Sequence, residues 1–228
     1  MFTLNELPPQ VDRKILEVLG RSEPATMGHF HHTGFMDPGI RGLLPDTRIA
    51  GTAVTFRFGG IDSTIVHYAL GQLRPGDILV MDRLGDMRLA ACGGGVAFAA
   101  RAAGALGIII DGFATDIGEI REYGLPVWAR GLSALTSKRQ FLLGEFCVPI
   151  SCGGVAVRPG DAILAAENGI LVINPSEALA AAERAIQRQD LEKVNLARVA
   201  KGEKLLDLNG TTERMRAIMA ARWRGRNA

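Results

Sequence analysis

The chain has 228 residues, with 26 Lys and Arg against 24 Asp and Glu, so its net charge is small and is spread along the sequence. That balance excludes a basic footprint for nucleic acid, and an apolar share of 47% excludes a disordered chain. Three cysteines without C-x-x-C spacing fit neither a disulfide framework nor a zinc site, which points to a reducing, cytoplasmic setting.

At the start, Glu6, Asp12 and two prolines stand where a secretory leader needs a basic start and an unbroken apolar run, so no leader is expected. Val11, Ile15, Leu16 and Leu19 have helical spacing closed by Gly20, and a Gly- and Pro-rich stretch follows to Asp46. Ile49 to Phe58 alternates as a strand does. Ile65, Val66, Ala69, Leu70 and Leu73 make a helix face, and R-P-G-D turns into a strand from Ile78 to Asp82. The apolar run 89–110 reaches membrane-spanning length, yet Arg101 and its glycines predict instead a buried helix over Val96–Ala103 and a buried strand at Ile108–Ile110. No membrane association is expected. Beyond Pro126 the predicted strands are short: 127–129, 146–150, 155–157, 162–165 and 170–173. From Ser176 the pattern is helical, with a last helix near Thr211–Trp223. The expected architecture is α/β in a single domain. Residues 1–41 are an N-terminal helical segment, 42–175 the α/β core and 176–228 a C-terminal helical segment.

Three groups of residues can carry chemistry. The first is the turn at Gly93, Gly94 and Gly95 opening a helix at Val96, where unpaired amides and the helix dipole favour a carboxylate or phosphate; the glycines taken alone read more readily as a tight packing turn. The second is Thr115 and Asp116, just past the strand that ends at Asp111. Ligands gather at the C-terminal ends of parallel strands, which makes these residues candidate metal or acid/base groups. Asp116 with Glu119 three residues later also reads as a capping box. The third is the cluster His29, His31 and His32, which has no nearby acid or thiol and reads as surface or pocket-lining histidine more readily than as a metal site. No Walker loop, dinucleotide fingerprint or G-x-S-x-G elbow occurs.

The phrases IAGTAVTF, RPGDILVMD, GALGIIIDG, the TD at 115 and 116, PVWARG, VRPGDAILAAENGILVINP and GEKLLDL, in that order, resemble the RraA-like family. That family includes the regulator of ribonuclease activity A and the class II 4-hydroxy-4-methyl-2-oxoglutarate aldolases. The resemblance implies a swivelling β/β/α sandwich and a homo-oligomer, a trimer or dimer of trimers, with sites between subunits. It also implies a divalent-metal-dependent lyase (Mg²⁺ or Mn²⁺) acting on a small-molecule carboxylate by retro-aldol cleavage or oxaloacetate-type decarboxylation. The alternative it offers is a non-catalytic protein that regulates a partner such as a ribonuclease. Residue by residue, Asp116 would hold the metal, and Gly93, Gly94, Gly95 and Val96 would bind the substrate's carboxylate through their amides. Thr115 would orient substrate, and Arg130 would complete the catalytic set. Two departures stand out: Thr115 replaces the family's arginine, and Gly94 replaces an acidic residue. Arg83 or Arg88 could return the cation, and Glu192 could act in a neighbouring subunit's site.

Overall fold

The computed structural model describes residues 1–226, with side chains described as far as residue 222. The strands are β1 (Phe2–Leu4), β2 (Arg41–Gly42), β3 (Ile49–Arg57), β4 (Asp77–Asp82), β5 (Ala90–Cys92), β6 (Gly107–Asp111) and β7 (Phe113–Ala114), followed by β8 (Val127–Ala129), β9 (Gly131–Leu132), β10 (Gly144–Phe146), β11 (Ile150–Cys152), β12 (Val155–Val157), β13 (Ala162–Ala166) and β14 (Gly169–Ile173). The helices are α1 (Arg13–Leu19), α2 (Pro24–Met27), α3 (Thr64–Leu70), α4 (Gly94–Ala102), α5 (Ile117–Tyr123), α6 (Pro175–Val199), α7 (Leu205–Leu208) and α8 (Thr211–Arg226).

Nine strands form one mixed sheet whose centre, β3-β4-β6-β8, is parallel. Strand β3 is long enough to pair antiparallel with β13 along its first half and with β10 at its end. All six residues of β4 are buried, as a strand covered on both faces requires, and this is why its middle, 78–81, is a continuous apolar run between two aspartates. The period-2 pleat sends Val54, Phe56, Leu79, Met81, Ile108 and Ile110 into a core shared with Ile65 and Val66 of α3, Ala97 and Ala100 of α4, and Ile120 of α5. Ala53, Ile78, Val80, Ile109 and Trp128 enter a second core with Ile150, Cys152 and Val157 of the β11–β12 hairpin. Helices thus cover one face and strands the other, the layered α/β arrangement expected.

Most predicted elements appear within a few residues of their expected ends. The strand expected over 146–150 is instead two, β10 and β11, because Cys147 adopts φ 53° and turns the chain from the main sheet into the hairpin. Strands β1, β2, β5, β7 and β9 were not expected; at two or three residues each, they are too short to show a period. The run 89–110 is β5, α4 and β6, and among the described residues no helix is long and apolar enough to cross a membrane.

The chain divides into two compact units, 1–183 and the residues from 184 onward. In the first, Ala178 and Ala182 of α6 are buried. In the second, Arg198 pairs with Glu203, and Leu191, Val194, Leu205, Leu206, Met215 and Met219 are exposed.

Candidate active site

Strand β5 runs parallel to β7, and Thr115 N–H donates to the Cys92 carbonyl at 2.8 Å just beyond them. This pairing lays the glycine turn beside Thr115 and Asp116, two segments more than twenty residues apart in sequence. Asp116 stands at the N-cap position of α5, as expected, but with φ 54° and ψ 43°, and its side chain makes no cap hydrogen bond to that helix. The capping box with Glu119 does not form. The left-handed backbone instead turns the carboxylate onto the neighbouring helix. Oδ2 accepts from the Gly94 amide at 3.1 Å, and Oδ1 accepts from the Thr115 hydroxyl at 3.2 Å. Asp116 therefore caps α4, where an anion is favoured by the helix dipole.

The glycines are needed for close approach. A Cβ on Gly93 would overlap the Asp116 carboxylate and lie 3.0 Å from Thr115 Cγ2; one on Gly94 would lie 2.6 Å from Glu119 Cδ and 2.7 Å from Glu119 Cβ. Helix α5 thus packs on α4 across Gly94, and the Glu119 carboxyl group fills the space that a side chain at 94 would take. Gly94→Ala is expected to cost about 1–3 kcal/mol by overpacking. Gly95→Ala, with nothing within 4 Å of the added carbon, is expected to stabilise by roughly 0.5–1 kcal/mol through helix propensity. Thermal denaturation of the two variants side by side checks this, and a Gly94→Ala protein as stable as the parent would contradict the packing.

Because the Gly94 amide is engaged by Asp116, the anion site expected across Gly93–Val96 is narrower than the sequence suggested. The second and third amides of α4, on Gly95 and Val96, have no intrahelical acceptor and no other among the described residues.

Cys92, Gly93, Val96, Thr115 and Asp116 line a cavity of 140 Å³ together with Ser63, His67, Thr136 and Ser137. The last four escaped the sequence reading, since nothing local marks them. They are brought in by isolated bridges pairing Asp62 with Lys138 and Ala90 with Thr136, and by Ser137 N–H donating to the Ala90 carbonyl at 3.2 Å. Burial, reinforced by the Asp116 charge, pushes the Cys92 thiol up to about 12, so it stays protonated at neutral pH and is no nucleophile. Burial, with Arg139 nearby, holds His67 below the ordinary imidazole range, so it is neutral at pH 7.

The other expected residues lie elsewhere. Arg130 is not among the cavity's lining residues; its Nε donates to Asp111 and its Nη1 to Asp37 at 3.2 Å, while Asp111 also accepts from Gly153 N–H at 2.7 Å. Arg83 is fully buried, donating to the carbonyls of Phe58 and Gly60 and to Asp86, with its guanidinium 4.1 Å from the Phe58 ring centre. It cannot return the cation that Thr115 lacks. Arg88 is exposed, and Glu192 is an exposed residue of α6 in the second unit. His31 and His32 line a separate cavity of 360 Å³ with Phe35 and Asn168, and His31 packs edge-on against Phe35. Among the described residues no three His, Cys, Asp or Glu side chains gather as a metal cluster. A larger cavity of 590 Å³ lies under α1. Its polar lining is internally paired: Gln10 donates to Asp77, Thr52 accepts from the Val11 amide, Arg13 pairs with Glu17, and Arg48 with Glu23.

Residues 15–172 match the RraA-like family, described as Aldolase/RraA. The chain belongs to the RraA-like family. Among its relatives, the 4-hydroxy-4-methyl-2-oxoglutarate aldolase of Thermus thermophilus is 32% identical over 126 residues, 55% of this chain and 76% of that protein. A Halalkalibacterium halodurans protein provisionally named for the same activity is 35% identical over 134 residues, 59% of this chain and 63% of its own length, so the match spans less than two thirds of that relative. Among solved structures, an uncharacterized Pseudomonas syringae protein superposes with a TM-score of 0.78 at 23% identity, covering 91% of this chain and 97% of that one. Streptomyces coelicolor RraAS2, described as an unusual member of the RNase ES inhibitor RraA family, superposes with a TM-score of 0.74 at 24% identity, covering 82% and 98%. At these identities the two superpositions establish the RraA-like fold alone.

Proposed function

We propose that this RraA-like protein is a divalent-metal-dependent lyase that cleaves a carbon–carbon bond in a small 2-oxo acid. The observation that carries the reading is the cavity in which the Asp116 carboxylate stands beside Val96, whose amide is open in the first turn of α4. The names of its relatives support an aldolase-type reaction.

The donor set suits a hard cation. The cavity offers the Asp116 carboxylate and hydroxyl oxygens, Glu119 lies close by against Gly94, and the buried thiol of Cys92 stays protonated. Mg²⁺ and Mn²⁺ accept one or two carboxylates and complete their shells with water and substrate, whereas a structural zinc site needs a gathered N/S set. Asp116 would hold the cation, which when bound supplies positive charge to the 2-oxo acid end. The amide of Val96 binds the carboxylate, Thr115 orients the substrate through its hydroxyl, and neutral His67 is suited to accept a proton at an imidazole nitrogen.

Calorimetry with Mn²⁺ and oxalate, an enolate mimic, tests this reading. Oxalate is expected to bind only when Mn²⁺ is present, and pyruvate is expected to be released from oxaloacetate or a 4-hydroxy-2-oxo acid in a Mg²⁺-dependent way. A protein silent in both assays overturns the reading. Silence would favour the second reading, a non-catalytic regulator, which the replacement of the family's arginine by Thr115 supports.

A further inference from the structure

We infer that Arg139 is a specificity-determining residue of this site: its guanidinium binds a second carboxylate, at the far end of the substrate from the 2-oxo group. The inference rests on the lyase reading above and names the residue that selects dicarboxylates among 2-oxo acids.

The backbone on both sides of Arg139 is fastened to the elements that line the cavity. Lys138 N–H donates to the Ile61 carbonyl at 2.7 Å, and the Lys138 carbonyl accepts from Ser63 N–H at 2.8 Å. Gln140 N–H donates to Asp62 Oδ1 at 2.9 Å, and Phe141 N–H to the Thr64 hydroxyl at 2.8 Å. These bonds lay residues 138–141 along the start of α3, where Ser63 and, one turn on, His67 line the cavity. Thr136 and Ser137, just before the segment, line it too. Arg139 is therefore held at the His67 side of the cavity with its side chain left to move. Its charge reaches the lining, since together with burial it holds His67 below the ordinary imidazole range.

The guanidinium is available. Arg139 is exposed, and among the described residues it makes no hydrogen bond or ion pair. By contrast, Arg130 is taken by Asp111 and Asp37, and Arg83 by the Phe58 and Gly60 carbonyls and Asp86. Lys138 and Arg88 are also exposed, but Arg139 is the charged residue that bears on His67. Val96, Thr115 and Asp116 come from α4 and the turn before α5, whereas Ser63 and His67 come from α3 and its cap. A substrate anchored by its 2-oxo acid end at the first group presents its remaining carbons to the second, beside Arg139. A guanidinium meets a carboxylate with paired N–H donors and a permanent charge, neither of which the Thr115 hydroxyl provides.

Calorimetry with Mn²⁺ present compares 2-oxoglutarate with 2-oxopentanoate, in which a methyl group replaces the second carboxylate. The parent is expected to prefer 2-oxoglutarate, and Arg139→Gln to weaken its binding about tenfold or more while changing 2-oxopentanoate by less than about twofold. Arg139→Lys should restore part of the preference, and Lys138→Gln should leave it intact. In turnover, Arg139→Gln should raise KM for 4-hydroxy-2-oxoglutarate by a similar factor with kcat little changed, as a contact remote from the breaking bond serves binding alone. Equal loss with 4-hydroxy-2-oxoglutarate and 4-hydroxy-2-oxopentanoate, with a shifted pH profile, would mean that Arg139 acts only through His67, and overturns the inference. So does a preference that survives in Arg139→Gln, which places the selecting cation elsewhere, a neighbouring subunit included, or one lost equally in Lys138→Gln. A parent that binds both acids alike overturns the assignment and leaves the lyase reading in place. Selective binding without pyruvate from either hydroxy acid overturns the lyase reading and leaves Arg139 as the carboxylate-binding residue.

Discussion

Asp116→Asn is expected to lower Mg²⁺-dependent pyruvate formation by about 10²–10³-fold, the usual loss when a charge that stabilises a transition state is removed, while the protein keeps its fold. Asparagine is the informative replacement for two reasons visible in the geometry. Residue 116 sits at φ 54°, a conformation that asparagine tolerates at least as well as aspartate and that costs alanine roughly 1–2 kcal/mol. Its side-chain oxygen can also still accept from the Gly94 amide, so what disappears is the negative charge. Loss of charge at the N-terminus of α4 should cost only about 0.3–1 kcal/mol of stability. Activity and melting temperature measured on the same preparation therefore separate the two roles. Turnover comparable to the parent would remove Asp116 from the reaction and leave it as a helix cap.

Asp62→Asn is expected to destabilise the protein by roughly 3–5 kcal/mol, since about 1–3 kcal/mol is lost for each buried donor left without an acceptor. Asp62 is buried, and its Oδ1 accepts from the Thr64 amide at 3.0 Å, the Thr64 hydroxyl at 2.5 Å and the Gln140 amide at 2.9 Å. Its Oδ2 accepts from the amides of Leu142 at 2.7 Å and Leu143 at 3.1 Å. An asparagine amide nitrogen in the place of either oxygen would point its hydrogens at donors. Burial alone would raise the carboxyl pKa, but these hydrogen bonds outweigh it and hold the group well below the usual carboxylate range. A depressed folded-state pKa contributes stability that is present above the unfolded-state value of about 4 and is lost progressively as pH falls from there through the depressed value. Chemical denaturation at pH 7 checks the magnitude, and a loss under about 1 kcal/mol would contradict the clamp. The same clamp anchors the segment just after Thr136 and Ser137, so the variant should also raise KM by loosening one wall of the cavity.

The main elements were legible along the chain. The apolar runs of β4 and β6, the alternation of β3 and the periodic faces of α1 and α3 are local patterns, readable because burial on a strand or helix imposes a fixed period. The order of short phrases along the chain, those holding Asp116 and Arg130 among them, was enough to place it in the RraA-like family. Only the tertiary structure decided what those residues do to one another. Asp116 read as the cap of its own helix and proved to cap α4, because its left-handed backbone is visible only once β5 and β7 are paired. Gly94 read as a lost acid and proved to be the space into which Glu119 packs. Arg130, expected to complete the catalytic set, is tied instead to Asp111 and Asp37, and Ser63, His67, Thr136 and Ser137 enter from segments with no local signal. The physical reason is common to all of these. A period along the chain records which face of an element is buried, but the partner that a polar side chain meets is chosen by contacts between segments far apart in sequence.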